Sequence, residues 1–522
     1  MAMNEILKFC LENGLLVDRE VLALLSEETD AESVKLIITQ IKNRTQRKII
    51  TRDLFYDNQG KLDKVFSNLP EENKEILEKI KIKLGLSIEI SKEILTSKKT
   101  DSDEDKLVSN ALGGVKIMSV NCLPGKKFEV GDFINYFRTR FTEMRPFLQN
   151  HPSLENLVSI NKLSGARQGV SLIGMVLDKK FTKNNNIIFE IEDLTGKVKV
   201  LVNKSKEDLL KKAEDVALDS VVGFKCSGSR DFLFANDIIF PEMGILNKKY
   251  SPEEEHVVFI SDVHYGSKNF MKENFLKFVD YLNGKIPNTP EVSKIKYLFI
   301  VGDLIAGVGV YPNQEKDLAV VGLEDQYIGI ADILSLIRKD IKIIISTGDH
   351  EGVRLMEPQP IYDEKHAWAL HDIENVILTE NPAMVNIAAR KDFQGFNIFT
   401  YHGHSYPFYA NSVPKLMKIK AMNYPEKIIE YLLKHRHIAP THGSTQYFPG
   451  KDAHIIRETP DIFVSGHTHK SAVVYFNNVL IISGSCWEKF TPYQEKMGNL
   501  PDFCKVPMLN LKTREIKILD FE

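Results

Sequence analysis

The chain has 522 residues, 43% of them hydrophobic and 27% charged, with a formal net charge of −3. That length predicts two to four domains, and that composition describes an ordinary globular protein. The near-neutral balance excludes a global electrostatic pull toward nucleic acid, so any such contact must use local basic surface or bound metal.

Five cysteines (Cys10, Cys122, Cys226, Cys486 and Cys504) stand far apart, with no CxxC pair. A reducing compartment is expected. The opening MAMNEILKFCLENG has neither a basic n-region nor a long apolar h-region, and no apolar stretch reaches the roughly 18 residues of a membrane span. The expectation is a cytoplasmic protein with no membrane contact.

Residues 1–96 read as a small helical module. Ile6, Leu7, Phe9 and Leu11 precede a break at Asn13-Gly14, and Asp18 and Asp30 are N-cap candidates for the segments that follow. Residues 97–114 form a polar linker opening on SKKTDSDED, too poor in apolar anchors to order itself. Residues 115–166 are expected to be a helical connector. Its stretch FINYFRTRFTEMRPFLQN sets Phe133, Phe137, Phe141 and Met144 on one face, with Arg138, Arg140 and Arg145 read as a solvated face.

Residues 167–250 switch to strand-like runs: GVSLIGMVLDKKF, NIIFEIEDL, KVKVLVN, SVVGFKCSGS and FLFANDIIF. One helical stretch, KSKEDLLKKAEDVAL, follows the third run. Five strands with a helix between the third and fourth describe an OB-fold barrel. Such barrels bind single strands through aromatics. Few aromatics lie on these strands, so protein scaffolding is the favoured role.

Residues 251–522 carry the chemistry. The apolar run VVFI at 257–260 leads into Asp262-Val263-His264. KYLFIV leads into Gly302-Asp303, and KIIIS into Gly348-Asp349-His350. FNIFTY leads into His402-Gly403-His404, and DIFVS into Gly466-His467-Thr468-His469. Short apolar runs without polar alternation read as buried strands. Ligands bind beyond the carboxyl ends of such strands, so five strands deliver oxygen and nitrogen donors to one edge. Carboxylate and imidazole without thiolate suit Mn, Fe or Zn. Two divalent ions about 3.5–4 Å apart can clamp a phosphoryl displacement, with Asp303 the candidate bridge. Helices are expected over 271–283, 326–339, 415–421 and 426–436, with a two-residue hairpin turn at Asn477-Asn478.

These five segments resemble the motifs of calcineurin-like metallophosphoesterases. Three further stretches, GVYPNQE at 309–315, EPQP at 357–360 and HRHIAPT at 435–441, resemble the small subunits of archaeal D-family DNA polymerases. With the barrel included, the resemblance covers residues 115–522. It implies an α/β fold: a two-sheet metallophosphoesterase sandwich over 251–522, preceded by the OB-fold β-barrel and the small N-terminal helical domain, itself a module for protein contacts.

The resemblance further implies that Asp262, His264, Asp303 and His469 hold one metal, and that Asp303, Asp349, His402 and His467 hold a second. Mn is the leading candidate, with Mg, Fe or Zn as alternatives. His350 would be the catalytic residue that protonates the leaving alkoxide or stabilises charge on the phosphate. The implied function is 3′–5′ exodeoxyribonuclease proofreading at single-stranded or mismatched DNA 3′ ends. Nothing here resembles a polymerase active site, so synthesis would belong to a separate large catalytic subunit in a heterodimer. The alternatives are an interaction subunit of the same polymerase with a weak or inactive nuclease site, and an unrelated phosphoesterase.

One residue departs from the family pattern, which has Asn where this chain has Asp349. Three aspartates and a hydroxide would cancel the charge of two divalent ions, leaving a formally neutral site that polarises an anionic diester less. His404 and His442 are expected to support the site or the fold, not to ligate.

Overall fold

The computed structural model describes residues 8–10, 12–17, 49–50, 114–118 and 127–522. The chain divides into two compact units, Met1–Leu107 and Val108–Glu522. In the first, residues 8–10 are helical and β1 (Leu16–Val17) pairs in parallel with β2 (Ile49–Ile50). That strand contact adds to the expected helical module, most of which lies outside the described residues, as do linker residues 97–113.

In the second unit a short strand precedes the helix of the expected connector. β3 (Lys116–Ile117) pairs antiparallel with β13 (Ala383–Ile387), far along the chain. The helix Val130–Gln149 follows, its first turn closed by Glu129 N–H donating to Asp132 Oδ2 at 2.9 Å. Tyr136, Phe141, Met144 and Leu148 form its buried stripe, while Phe133 is 39% exposed. Arg138 and Arg145 are exposed as expected. Arg140 is not: it is only 2% exposed, because Asp452 accepts its Nε–H at 2.7 Å. A partner 312 residues away leaves no local pattern to read.

Among the described residues, five strands close into a barrel: β4 (Gln168–Phe181), β5 (Ile187–Asp193), β6 (Gly196–Val202), β7 (Val221–Ser229) and β8 (Phe232–Ile239). The order around it is β4-β5-β6-β8-β7, with the helix Glu207–Asp215 between the third and fourth strands. Strand alternation decides what fills it. Ile187, Phe189 and Ile191 of β5 and Val198, Val200 and Val202 of β6 point inward onto Phe224 and Leu233.

Two six-stranded sheets follow. The first has the order β12-β11-β10-β9-β18-β19, and β9 (His256–Ile260), β10 (Ile295–Val301), β11 (Lys342–Ser346) and β12 (Val376–Thr379) run parallel. β18 (Lys505–Asn510) and β19 (Ile516–Asp520) extend it antiparallel. The second sheet has the order β16-β17-β15-β14-β13-β3, with β14 (Phe396–Tyr401), β15 (Ile462–Ser465) and β17 (Val479–Ser483) parallel. β16 (Ala472–Phe476) joins β17 through the expected hairpin, where Asn477 and Asn478 take φ of 48° and 66°.

The sheets pack face to face. Val257 and Phe259 meet Ile398, Val464 and Ile482 between them. Val258 and Ile260 point the other way, onto the helices Lys272–Leu282 and Leu323–Ser335. Both faces of β9 are covered, which is why its sequence shows no polar alternation. The helices Tyr406–Ser412 and Pro425–His435 cover the outer face of the second sheet. Among the described residues, no helix is long and apolar enough to cross a membrane.

The barrel has its own apolar core, distinct from those of the sheets. Phe224→Ala should therefore lower the hydrogen-exchange stability of the barrel amides by about 3–5 kcal/mol and leave the sheet amides unchanged. Equal losses in barrel and sheets would mean that the two melt as one unit.

Candidate metal centre

Three neighbouring strands of the first sheet, β9, β10 and β11, and two of the second, β14 and β15, end at a common edge. Just past those ends the chain turns sharply. Asp262, His264, Asp303, His467 and His469 all take positive φ, between 51° and 69°. Non-glycine residues seldom adopt this conformation, and clusters of them mark functional sites. Backbone bonds hold the turns: His264 N–H donates to Asp303 O at 3.0 Å, and Gly466 N–H to His402 O at 3.0 Å. Gly348 permits one close approach, since a Cβ there would lie 2.6 Å from both N and Oδ1 of Asp303.

Asp303 sits at the centre. Its Oδ1 accepts the amides of Asp349 at 2.7 Å and His350 at 3.1 Å. Its Oδ2 lies 3.3 Å from His402 Nε2 and 3.8 Å from both His264 Nε2 and His350 Nε2. To one side, Asp262 Oδ1 is 3.5 Å from His469 Nε2, which faces His264 Nε2 at 3.1 Å. To the other, Asp349 Oδ2 is 3.2 Å from His467 Nδ1, and its Oδ1 is 3.7 Å from His402 Nε2. Donor atoms of Asp262, His264 and His469 lie within 4.8 Å of one another, as do those of Asp349, His402 and His467. All seven expected ligands are thus brought together. His350 joins them, because it groups equally closely with His264 and Asp303.

The donor set fits divalent cations. His402 Nδ1–H donates to Val301 O at 3.1 Å, which turns Nε2 toward the centre. That Nε2 is buried and makes no hydrogen bond of its own. Burial and neighbouring imidazoles hold His264 well below its usual range and bring His469 down to about 3. Both are neutral, the form that ligates metal. Burial pushes Asp262 up to about 7, a cost that a cation between the carboxylates offsets. Asp303 is depressed in spite of its burial, because His350 and His402 stand beside it.

The two extra histidines part company. His404 Nε2 lies 2.9 Å from Asp349 Oδ1. Burial opposes its protonation, but Asp349 and Glu357 prevail and raise it to about 10. When protonated, His404 sets a positive charge against the Asp349 carboxylate, which the formal count of a neutral site left out. His442 is exposed, its Nδ1 2.8 Å from the Tyr447 hydroxyl.

Three supporting residues escaped the sequence reading. Glu351 accepts the amides of Leu304 at 2.7 Å and Gly348 at 2.8 Å, pinning the β10 and β11 loops together. Gln359, within EPQP, donates to Gly348 O at 2.7 Å and accepts from Asn381 Nδ2 at 2.7 Å. Asn381 Oδ1 in turn accepts the His402 amide at 2.9 Å, tying the third ligand loop to the fourth. Glu351 directly follows Gly-Asp-His, which was an available signal. Asn381 offered none.

Comparison with known proteins agrees with this geometry. Residues 255–471 match the calcineurin-like phosphoesterase family. The DNA polymerase II small subunit of Methanothermobacter thermautotrophicus is 34% identical over 75% of this chain and 80% of its own length. That of Pyrococcus furiosus is 36% identical over 76% of this chain and 65% of its own. That of Pyrococcus horikoshii is 34% identical over 87% and 73%. The chain belongs to the archaeal DNA polymerase II small subunit family. The phosphoesterase fold of this family member implies divalent metal, and the residues at the sheet edge suit it.

Gly348→Ala should weaken metal binding about ten- to hundred-fold, the scale seen when the supports of metal ligands are disturbed. Mn titration followed by the EPR signal of free ion reads this directly. Unchanged affinity in the variant would mean that the close approach at Gly348 does not shape the centre.

Proposed function

We propose that this chain is the small subunit of a replicative DNA polymerase and a metal-dependent 3′–5′ exodeoxyribonuclease. It removes nucleotides from single-stranded or mismatched 3′ ends and works beside a large catalytic subunit that carries synthesis, in the cytoplasm. The observation that carries this reading is the convergence of Asp262, His264, Asp303, Asp349, His402, His467 and His469 on one edge, with His350 among them. Asp262, His264, Asp303 and His469 would hold one ion, and Asp303, Asp349, His402 and His467 the other. Bound there, two divalent ions supply Lewis-acid charge at the scissile phosphate and activate water.

The chain's own residues do the rest. Asp303, fixed by two amides, sets the spacing of the two donor sets. His350 Nδ1–H donates to Ala306 O at 2.7 Å, so Nε2 faces the site. Burial opposes its protonation, but Asp303 outweighs burial and keeps the imidazole protonated above its usual range. It can then hand a proton to the departing 3′-oxygen. The barrel order and its helix after the third strand support an OB-fold over residues 167–250, between a connector over 115–166 and the phosphoesterase domain over 251–522. A weakly active interaction subunit is the second reading, favoured by Asp349 in place of the family's Asn. The His404 contact reduces its weight.

Digestion of 3′-labelled single-stranded and mismatched DNA, with and without the large subunit, tests the proposal. Mn should support more activity than Mg, because imidazole donors suit Mn whereas Mg prefers oxygen ligands. Good cleavage in Mg with none in Mn would contradict the ligand assignment. His350→Ala should lower the rate about 10²–10⁴-fold with metal content unchanged, whereas His467→Ala should lose an ion by elemental analysis. Loss of an ion from the His350 variant would show that it is a ligand and not the acid.

A further inference from the structure

A second buried cluster lies behind the metal centre. Beyond His404, whose Nδ1 is 3.6 Å from Glu357 Oε1, the other Glu357 oxygen lies 2.8 Å from His454 Nε2. Asp452 Oδ1 accepts the His454 amide at 3.1 Å and stands 3.8 Å from its ring Nδ1. Asp452 Oδ2 accepts from Arg140 Nε at 2.7 Å and meets His437 Nε2 at 3.1 Å. Glu357, His454, Asp452, His437 and Arg140 are all buried. Arg140 also donates to Asp219 O, in the segment leading into β7, and to Pro440 O.

We propose that this buried chain, Asp349–His404–Glu357–His454–Asp452, anchored by Arg140, positions the Asp349 carboxylate for the second metal ion and so couples that ion's site to the helix Val130–Gln149. The inference rests on the reading of Asp349 as a ligand. Three observations carry it. First, a buried charge cluster is a poor way to gain stability, since apolar residues of similar volume often do as well or better, so a role in positioning accounts for it better. Second, the chain meets the centre through His404 at Asp349, and its far end is bonded at 2.7 and 3.1 Å to two separate segments, those of Arg140 and His437. Third, it joins the Glu of EPQP, a His of HRHIAPT and the buried arginine of the connector helix, which the hydrolytic chemistry leaves without a task. Glu357, His454, Asp452, His437 and Arg140 are positioning residues; they touch no reacting atom.

The test uses the full chain and Mn alone as probe, with binding isotherms and thermal melts on Glu357→Gln, Asp452→Asn and Arg140→Lys. Each amide keeps the volume and removes the charge. The expected result is second-ion affinity weakened about ten- to hundred-fold with the first ion unmoved, and a smaller loss in Arg140→Lys, which keeps its charge. A purely structural cluster would lower the melting temperature and leave both affinities as in the wild type, and that result overturns the proposal. If Asp452→Asn fails to fold, Glu357→Gln decides. Asp349→Ala separates the two levels: if it still binds two Mn with wild-type affinity, Asp349 is no ligand and the metal assignment fails together with the inference. If it loses the second ion while Glu357→Gln does not, only the inference fails.

Discussion

Asp303 is the constraint on which the centre depends. One carboxylate oxygen takes two amides from the loop after β11, and the other faces imidazoles from the loops after β9, β11 and β14. This is geometrically feasible only because parallel strands of two sheets end together, and because turns with positive φ re-aim the side chains there. A buried carboxylate among several imidazoles is tolerable in the fold for electrostatic reasons. Each group offsets the desolvation of its neighbours, and a bound cation would complete that balance.

Much of this was legible in the sequence because it is local. A strand buried on both faces shows as an unbroken apolar run, and a ligand at its end shows as Asp or His beside Gly. VVFI before Asp262 and IFVS before Gly466 carry their structural meaning within ten residues. The barrel was legible for the same reason, since period-two alternation in NIIFEIEDL and KVKVLVN needs no distant partner. Arg140 shows the opposite case. On a helix it reads as one arginine among three, and only Asp452 makes it a buried one. β3 escaped notice because two residues carry no period, and its partner β13 lies beyond the barrel in sequence.

Asp349 illustrates why counting formal charge along a motif is not enough. At this position a carboxylate adds a negative charge to the centre that an amide would not. The fold sets His404 against it, two residues beyond His402 on the same loop, so the motif alone does not fix the local field. The same histidine is the first link between the centre and the buried polar chain behind it. A substitution within a motif and its compensation outside that motif are a single electrostatic unit.

The most direct test of the two-metal centre is anomalous scattering from crystals soaked in Mn. The account predicts two Mn peaks about 3.5–4 Å apart, one beside Asp262, His264 and His469, the other beside Asp349, His402 and His467, with Asp303 between them. A single peak, or a pair that leaves Asp303 outside the coordination of either ion, would contradict it.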